Sequence, residues 1–320
     1  MKRILITGGS GFIGTNLVEF YIAEGCHVLN IDVAPPRNPS HTSNWVYVDI
    51  TDRAALLAII KDFDPHCCFH LAARTDLAGR DASAYLANTE GVLNVVDALK
   101  LCLSIQFAVF ASSMLVCKTG YLPKDEYDFC PTTAYGQSKV EGEMLVRKHI
   151  ENSYKYIIVR PTSIWGPWFS APYKDFFDAV RNGYYLHPYR RRVRRSYGFV
   201  MNTVFQLDKI FKLKGGELVA KSVYICDYMP LELQSWACLI QNVSNAPAIK
   251  EFPYVFFKIL ALFGDALKLI NVEFPLTSFR LRNMLTESIH NSDPLRKLTG
   301  DLPYTVDHGV RLTINWMTRK

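Results

Sequence analysis

The sequence predicts an α/β protein built on a doubly wound parallel sheet. Three observations predict it. Short apolar runs alternate with amphipathic segments through the first half of the chain. A glycine-rich stretch, Gly8-Gly9-Ser10-Gly11-Phe12-Ile13-Gly14, separates the first run from the first amphipathic segment. The second run ends in an acid, Asp32.

Arg3 to Thr7 is the first apolar run, and the segment after the glycines places Phe12, Leu17, Val18, Phe20, Tyr21 and Ile22 at helical spacing. His27 to Ile31 reads as a second buried strand, after which Ala34-Pro35-Pro36 and Asn38-Pro39-Ser40 break the chain into a loop. Trp45 to Val48 is a third strand, Arg53 to Lys61 a helix and Cys67 to Leu71 a strand. Tyr85 to Leu101 is a helix, Gln106 to Ala111 a strand, Ala134 to His149 a long helix and Tyr156 to Val159 a strand. Past Pro161 the rhythm becomes irregular, with strand character at Ser222 to Ile225 and helical stretches at Leu231 to Gln241, Tyr254 to Leu269 and Val306 to Met317. The expected division is a dinucleotide-binding domain over 1–163 and a smaller mixed α/β substrate lobe over 164–320, with segments near 196–225 returning to the first sheet.

At 320 residues, with 49% hydrophobic and 21% charged residues, the chain buries a sizeable core, which excludes a disordered or fibrous protein. A net charge of +6 over that length is mild, so no nucleic-acid partner is expected. The eight cysteines form no CxxC pair and sit mostly in apolar runs. Reduced core thiols in a cytoplasmic protein are expected, with no metal site. The N-terminus turns glycine-rich too early for a signal peptide. Phe252 to Ile270 is strongly apolar, but Lys258, Asp265 and Lys268 interrupt it. No transmembrane segment is expected there, and a core helix of the C-terminal lobe is.

In a GxxGxxG loop between a strand and a helix, the first glycine permits a tight turn, the second lets a pyrophosphate approach the backbone, and the third lets the helix pack on the sheet. Gly8, Gly11 and Gly14 fit these places. The helix start directs free N–H groups and the positive dipole end at the phosphates. Asp32 is placed to accept hydrogen bonds from an adenosine ribose, and an acid there repels a 2′-phosphate. NAD is therefore the expected cofactor, with Arg37 the residue that could soften the preference.

Tyr135 and Lys139 stand four apart in a helix, so their polar ends converge. A phenol with an ordinary pKa of about 10 needs a neighbouring cation to act as a base near neutrality, and Lys139 is the expected one. Lys139 is also expected to bind the nicotinamide ribose. The strand ending at Ala111 leads into Ser112-Ser113 at the carboxyl edge of the sheet, where such folds collect ligands. One of these hydroxyls is expected to hold a substrate oxygen beside Tyr135.

These residues together resemble the extended short-chain dehydrogenase/reductases, specifically the NAD-dependent epimerase/dehydratase family of nucleotide-sugar enzymes on a Rossmann-type domain. Thr7 to Gly14 is similar to its cofactor loop, Asp49-Ile50 to its adenine-side pair, and His70-Leu71-Ala72-Ala73 to the strand end lining the cofactor. Asn88 with Gly91 is similar to its helix motif, Phe110 to Ser113 to its serine strand, and Arg160-Pro161 with Gly166-Pro167 to the signature after its sixth strand. The resemblance implies cofactor contacts from Gly8, Gly11, Phe12, Ile13, Gly14, Asp32, Asp49, Ile50, Leu71, Ala72, Ala73, Asn88, Ser112, Tyr135, Lys139 and Pro161. It implies Ser113 as the catalytic hydroxyl with Tyr135 and Lys139, a nucleotide-diphosphate sugar as substrate, and a homodimer formed through helices of the Rossmann domain.

Departures from the family pattern narrow the reaction. Dehydratases of the family carry an Asp-Glu pair after the catalytic hydroxyl; Met114 and Leu115 stand there and move no protons, so dehydration is not expected. A cysteine used for epimerisation beside a ketone is also missing at 114. What remains needs only Ser113, Tyr135 and Lys139, a set that serves a 4-epimerase and a dehydrogenase alike; the expected reaction is a 4-epimerisation through a transient keto-sugar, in cell-surface polysaccharide biosynthesis. The alternative is a dehydrogenase or ketoreductase on a keto-sugar nucleotide or a sterol-like alcohol, since the stretch from Phe252 through Phe274-Pro275-Leu276-Thr277 resembles the sterol-dehydrogenase branch of the superfamily. Ser163 replaces an asparagine that contacts the nucleotide-sugar in many epimerases.

Tyr189 to Arg195 holds five arginines in seven residues, suited to a diphosphate, with Arg191 and Arg195 the chosen contacts and Tyr184, Tyr185 and Tyr189 nearby. The resemblance adds Asp227 and Arg282, with Arg280, as candidates for ribose, base or phosphate.

Overall fold

The computed structural model describes residues 1–150, 153–213, 221–269, 272, 274 and 276–319. Its first half runs β1 (Arg3–Thr7), α1 (Phe12–Ala23), β2 (His27–Asp32), β3 (Trp45–Tyr47), α2 (Arg53–Phe63) and β4 (Cys67–His70). It continues with α3 (Glu90–Lys100), β5 (Phe107–Ala111), α4 (Ala134–Ile150) and β6 (Lys155–Pro161). The second half holds β7 (Ser163–Trp165), α5 (Tyr173–Arg181), β8 (Leu186–Pro188), β9 (Arg194–Arg195), β10 (Tyr197–Phe199), α6 (Val200–Lys212) and β11 (Ser222–Ile225). Then follow β12 (Leu231–Glu232), α7 (Leu233–Ser244), β13 (Lys250–Phe252), α8 (Tyr254–Leu269), α9 (Ser278–Leu285), α10 (Asp293–Thr299) and α11 (Val306–Thr318).

Seven strands form one parallel sheet in the order β11-β6-β5-β4-β1-β2-β3. This is the doubly wound α/β fold that the alternation of elements predicts, and its strand order reverses between β1 and β4, where a crevice opens at the carboxyl ends. Successive strand residues face opposite sides. Ile4, Ile6, Cys67, Phe69, Phe107 and Val109 pack with α1 and α6 residues such as Leu17, Val18, Leu207 and Phe211. Leu5, Cys68, Ala108 and Phe110 pack with Leu56, Ile60, Val95, Leu99 and Val146 of α2, α3 and α4. Burial on both faces explains why these strands read as continuous apolar runs rather than alternating ones.

The chain past Pro161 does not stay apart. α6 packs beside α1, and β11 pairs with β6, with Val223 opposite Val159 and Ile225 opposite Pro161. The rest of the second half surrounds an aromatic core in which Trp165, Phe177, Phe199 and Trp236 are fully buried.

Three elements differ from expectation. The helix expected from Tyr85 begins at Glu90, because Ala82 to Asn88 is a 3₁₀ segment with non-helical backbone at Tyr85. The helix expected from Leu231 begins at Leu233, since Leu231 and Glu232 pair with Arg195 and Arg194 as a short strand. The stretch expected to be a core helix, α8, buries only Phe257, Ala261 and Gly264 and leaves its opposite face in solvent. Ile270 and Pro275, which belong to that stretch and its continuation, lie outside the described residues.

Candidate active site

A cleft of about 730 Å³ opens at the strand-order reversal. It is lined by the glycine loop, Asp32, Asp49-Ile50, Leu71-Ala72-Ala73, Ser112-Ser113, Tyr135, Lys139 and Pro161, residues from seven separate segments. That volume is in the range of cofactor sites.

The loop meets the geometric demands of a bound dinucleotide. Gly8 has φ +74°, and a Cβ there would lie 2.5 Å from the Ala72 backbone nitrogen. A Cβ on Gly14 would lie 2.1 Å from the Gly8 carbonyl oxygen. First and third glycines are thus required by the turn and by close helix packing. Gly11 faces the cleft and caps α1 with no side-chain acceptor, and α1 has no acid in its first turn. By contrast, the start of α2 is capped by Asp52, whose carboxylate accepts from Ala55 N at 3.1 Å. The uncapped N–H groups of α1 are available to an anion.

Asp32 closes the far end of the loop: its carboxylate accepts from Ser10 N at 3.0 Å and from Ala34 N at 2.9 Å. Arg37 lies in the same cleft but donates to the Ser10 carbonyl at 3.2 Å and the Trp168 carbonyl at 2.6 Å, which ties its guanidinium to the backbone. Asp32→Ala removes the negative charge and two loop anchors together. The expected result is about tenfold weaker NAD binding and a narrower margin over NADP, measured by calorimetric titration with each dinucleotide. An unchanged margin would assign the preference to Arg37 or the backbone instead.

Asp49 accepts from the Thr51 amide and hydroxyl, both at 2.8 Å, and Ile50 packs where any side chain on Gly91 would stand. Asn88, expected as a cofactor contact, is not among the cleft-lining residues. It is fully buried, exchanges hydrogen bonds with the Arg74 backbone at 2.9 and 3.0 Å, and donates to Ser138 Oγ at 2.9 Å. It ties the segment after β4 to α4, and so sets the spacing between two walls of the cleft.

Ser113, Tyr135 and Lys139 converge at the carboxyl end of β5. Ser113 ends the strand and caps a 3₁₀ turn, Met114–Val116, accepting from Leu115 N at 3.1 Å, which leaves its proton to donate. Burial raises the pKa of the Tyr135 phenol, and a hydrogen bond from the Ser113 hydroxyl opposes that rise. The expected lowering by Lys139 is not what the structure gives. The Lys139 ammonium donates to the Ala111 carbonyl at 2.7 Å, and burial of the phenol dominates. Lys139 is itself buried, which brings its pKa down to about 8, with Glu143 opposing the shift. Glu143 does not neutralise it, because both its oxygens are taken by Arg160 at 2.8 Å. That bidentate pair is what the Arg160-Pro161 segment contributes. His70, whose Nδ1 lies 2.7 Å from Thr7 Oγ1, is held neutral: burial, and then Lys139, push its pKa down to about 3.

Of the expected substrate residues, Ser113 lines this cleft and Ser163, Arg191, Arg195, Asp227 and Arg282 do not. Ser163 is buried on β7 and hydrogen-bonds Tyr173. Asp227 is half-buried, accepts from Asn202 Nδ2 at 3.0 Å and from Phe199 N at 3.3 Å, and desolvation lifts its pKa to about 7. Arg195 hydrogen-bonds the Tyr197 phenol, while its buried Nε has no partner. Arg191 is exposed over the Tyr254 ring, and Arg282 is exposed on α9. Thr75, Thr162 and Ser170 do line the cleft and escape sequence reasoning. Only folding brings the residues after β4 and β6 to one mouth, and none of the three sits in a motif.

The description "NAD dependent epimerase/dehydratase family" fits residues 4–189 of this chain. A 3-beta-hydroxysteroid dehydrogenase of Mycolicibacterium neoaurum is 26% identical over 253 residues, covering 74% of this chain and 69% of that protein. Among solved structures, the UDP-glucose 4-epimerase of Thermotoga maritima with UDP-glucose superposes with a TM-score of 0.73 at 18% identity. The UDP-glucuronic acid 4-epimerase of Bacillus cereus in complex with NAD superposes at 0.74 and 15%. Each covers 99% of both chains.

Proposed function

The chain belongs to the NAD-dependent epimerase/dehydratase family, with NAD as its cofactor, and on that premise we propose that it epimerises a nucleotide-activated sugar at C4 through a transient keto-sugar. The observation that carries this reading is the meeting of Ser113, Tyr135 and Lys139 in the cleft that also holds the glycine loop and Asp32. NAD, when bound, supplies a positively charged hydride acceptor that can return what it takes. Tyr135 would accept the proton of the sugar hydroxyl as a phenolate, which burial disfavours and which the Ser113 hydrogen bond and the positive charge of a bound cofactor would favour. Ser113 orients the sugar hydroxyl by hydrogen bonding. Lys139 binds the nicotinamide ribose and keeps a cation close to the reacting oxygens. Met114 and Leu115 offer no further acid or base, which favours a reaction that ends where hydride returns.

The diphosphate in this proposal falls to Arg195. Its buried Nε has no hydrogen-bond partner, and no carboxylate among the described residues pairs with it. A buried donor of that kind is costly until an anion meets it. Arg191, Ser163, Asp227 and Arg282 are the remaining proposed contacts, with a cytoplasmic homodimer in surface polysaccharide assembly as the setting. A second reading, oxidation of an apolar alcohol, draws support from the steroid dehydrogenase relative and from Ser163 in place of an asparagine.

A panel of nucleotide-sugars screened by thermal shift, with hits followed by NMR, separates the two. The first reading expects interconversion of C4 epimers with no added NAD. Product formation that consumes added NAD stoichiometrically, on a sterol rather than a sugar, would replace it with the second.

A further inference from the structure

Two features of the sequence find no place in the cleft, the arginine run and the apolar stretch that forms α8, and the fold sets them side by side. β13, which leads into α8, pairs with β8, which leads into the arginines, and Tyr189 N donates to the Phe252 carbonyl at 2.8 Å. The Arg191 guanidinium lies 4.7 Å from the centre of the Tyr254 ring, and the Lys258 ammonium lies 5.2 Å from the same ring.

The outward face of α8 is apolar along its length. Val255, Ile259, Leu262, Phe263 and Leu269 are between 55% and 86% exposed. On a helix these positions fall on one side. Phe279, on the helix packed against α8, is exposed as well. The one acid of α8, Asp265, accepts from Ser278 N at 3.1 Å and so serves the start of α9. Glu251, just before α8, accepts from Gln234 Nε2 at 2.7 Å. The arginines beside this face are exposed, and no carboxylate among the described residues pairs with Arg190 or Arg191; Arg192 has only Glu232, at 4.0 Å.

We propose that α8 and the neighbouring cations Arg190, Arg192 and Lys258 together dock this protein on an anionic bilayer surface, with the apolar face of α8 entering the headgroup boundary and those cations meeting lipid phosphates. The charge pattern selects this occupant. An exposed apolar helix bordered by unneutralised cations and an aromatic ring between them matches an interface that is negative outside and apolar within. A second copy of the same face would set these cations against each other. No helix among the described residues is long and apolar enough to cross a membrane, so the contact lies along the surface.

The test is co-sedimentation of the full chain with phosphatidylcholine vesicles that contain phosphatidylglycerol, and with phosphatidylcholine alone. The protein should sediment with the anionic vesicles and be released by high salt. Ile259→Glu with Leu262→Glu should abolish sedimentation while leaving NAD affinity and the melting temperature unchanged, since both side chains are in solvent. Arg190→Ala, Arg192→Ala and Lys258→Ala combined should weaken partitioning to anionic vesicles at least about tenfold. As a second measurement, a polarity-sensitive dye on Ile259→Cys should shift to shorter wavelength on the same vesicles. Absence of sedimentation, or full sedimentation of the double glutamate variant, overturns the proposal. So does a dimer that the glutamates convert to monomer, which would assign this face to a second copy.

Discussion

Tyr135→Phe is expected to lower kcat by about a thousandfold, the scale of a lost general base, while NAD binds as before. The ring survives the substitution, and with it the packing against Tyr85, whose ring centre lies 6.0 Å away. Only the oxygen that Ser113 hydrogen-bonds is removed. Single-turnover measurements on the purified protein, with calorimetry for NAD, separate the two effects. Unchanged turnover would take Tyr135 out of the chemistry, and lost NAD affinity would make it a cofactor contact first.

Lys139→Met is expected to abolish turnover and yet stabilise the protein without ligand. Burial of the ammonium brings the folded pKa from 10.5 to about 8. A base with a depressed folded pKa costs stability wherever both states are protonated, below about pH 8. Between 8 and 10.5 the unfolded chain holds more protons, so stability rises with pH across that window. The shift corresponds to about 3 kcal/mol at neutral pH, less about 1 kcal/mol for the Ala111 carbonyl that loses its donor. Urea unfolding should show the variant about 2 kcal/mol more stable at pH 7, with the gap closing as pH rises through 8 toward 10.5. A variant less stable than the parent at pH 7 would mean that the buried ammonium is neutralised in a way the geometry does not show. Stability given up at a site that needs a buried charge is a common exchange in enzymes.

The first half of the fold was legible because its signals are local. Leu5 and Ile6 are both buried since each face of the sheet carries helices, so the strand reads as an unbroken apolar run, and Gly8, Gly11 and Gly14 mark the turn that follows. The cleft was legible for the same reason: its residues sit at the ends of strands that the sequence reveals. Past Pro161 the organisation depends on distant partners. β11 completes the sheet only because Ile158 and Val159 already stand at its edge, and Trp165 finds Trp236 across a long interval of chain.

The energetics of the site were less legible than its membership. A Tyr and a Lys one helical turn apart suggest mutual influence, but the Lys139 ammonium bonds the Ala111 carbonyl, and Arg160, in a neighbouring strand, claims the carboxylate of Glu143. The substrate candidates fared differently again. Arg195 is half-buried with an idle donor, Asp227 serves the backbone of Phe199, and most of the arginine run is exposed. Sequence spacing alone does not distinguish these three fates.

On the proposed reading, Ser113, Tyr135 and Lys139 form a hydride-transfer site with NAD. Rapid mixing of the NAD-loaded protein with a nucleotide-sugar that binds tests it most directly, followed by the near-ultraviolet absorbance of reduced nicotinamide. A transient rise in that absorbance is expected in the parent and none in Tyr135→Phe. Turnover of the sugar with no reduced nicotinamide at any time, or an equal rise in both proteins, would contradict it.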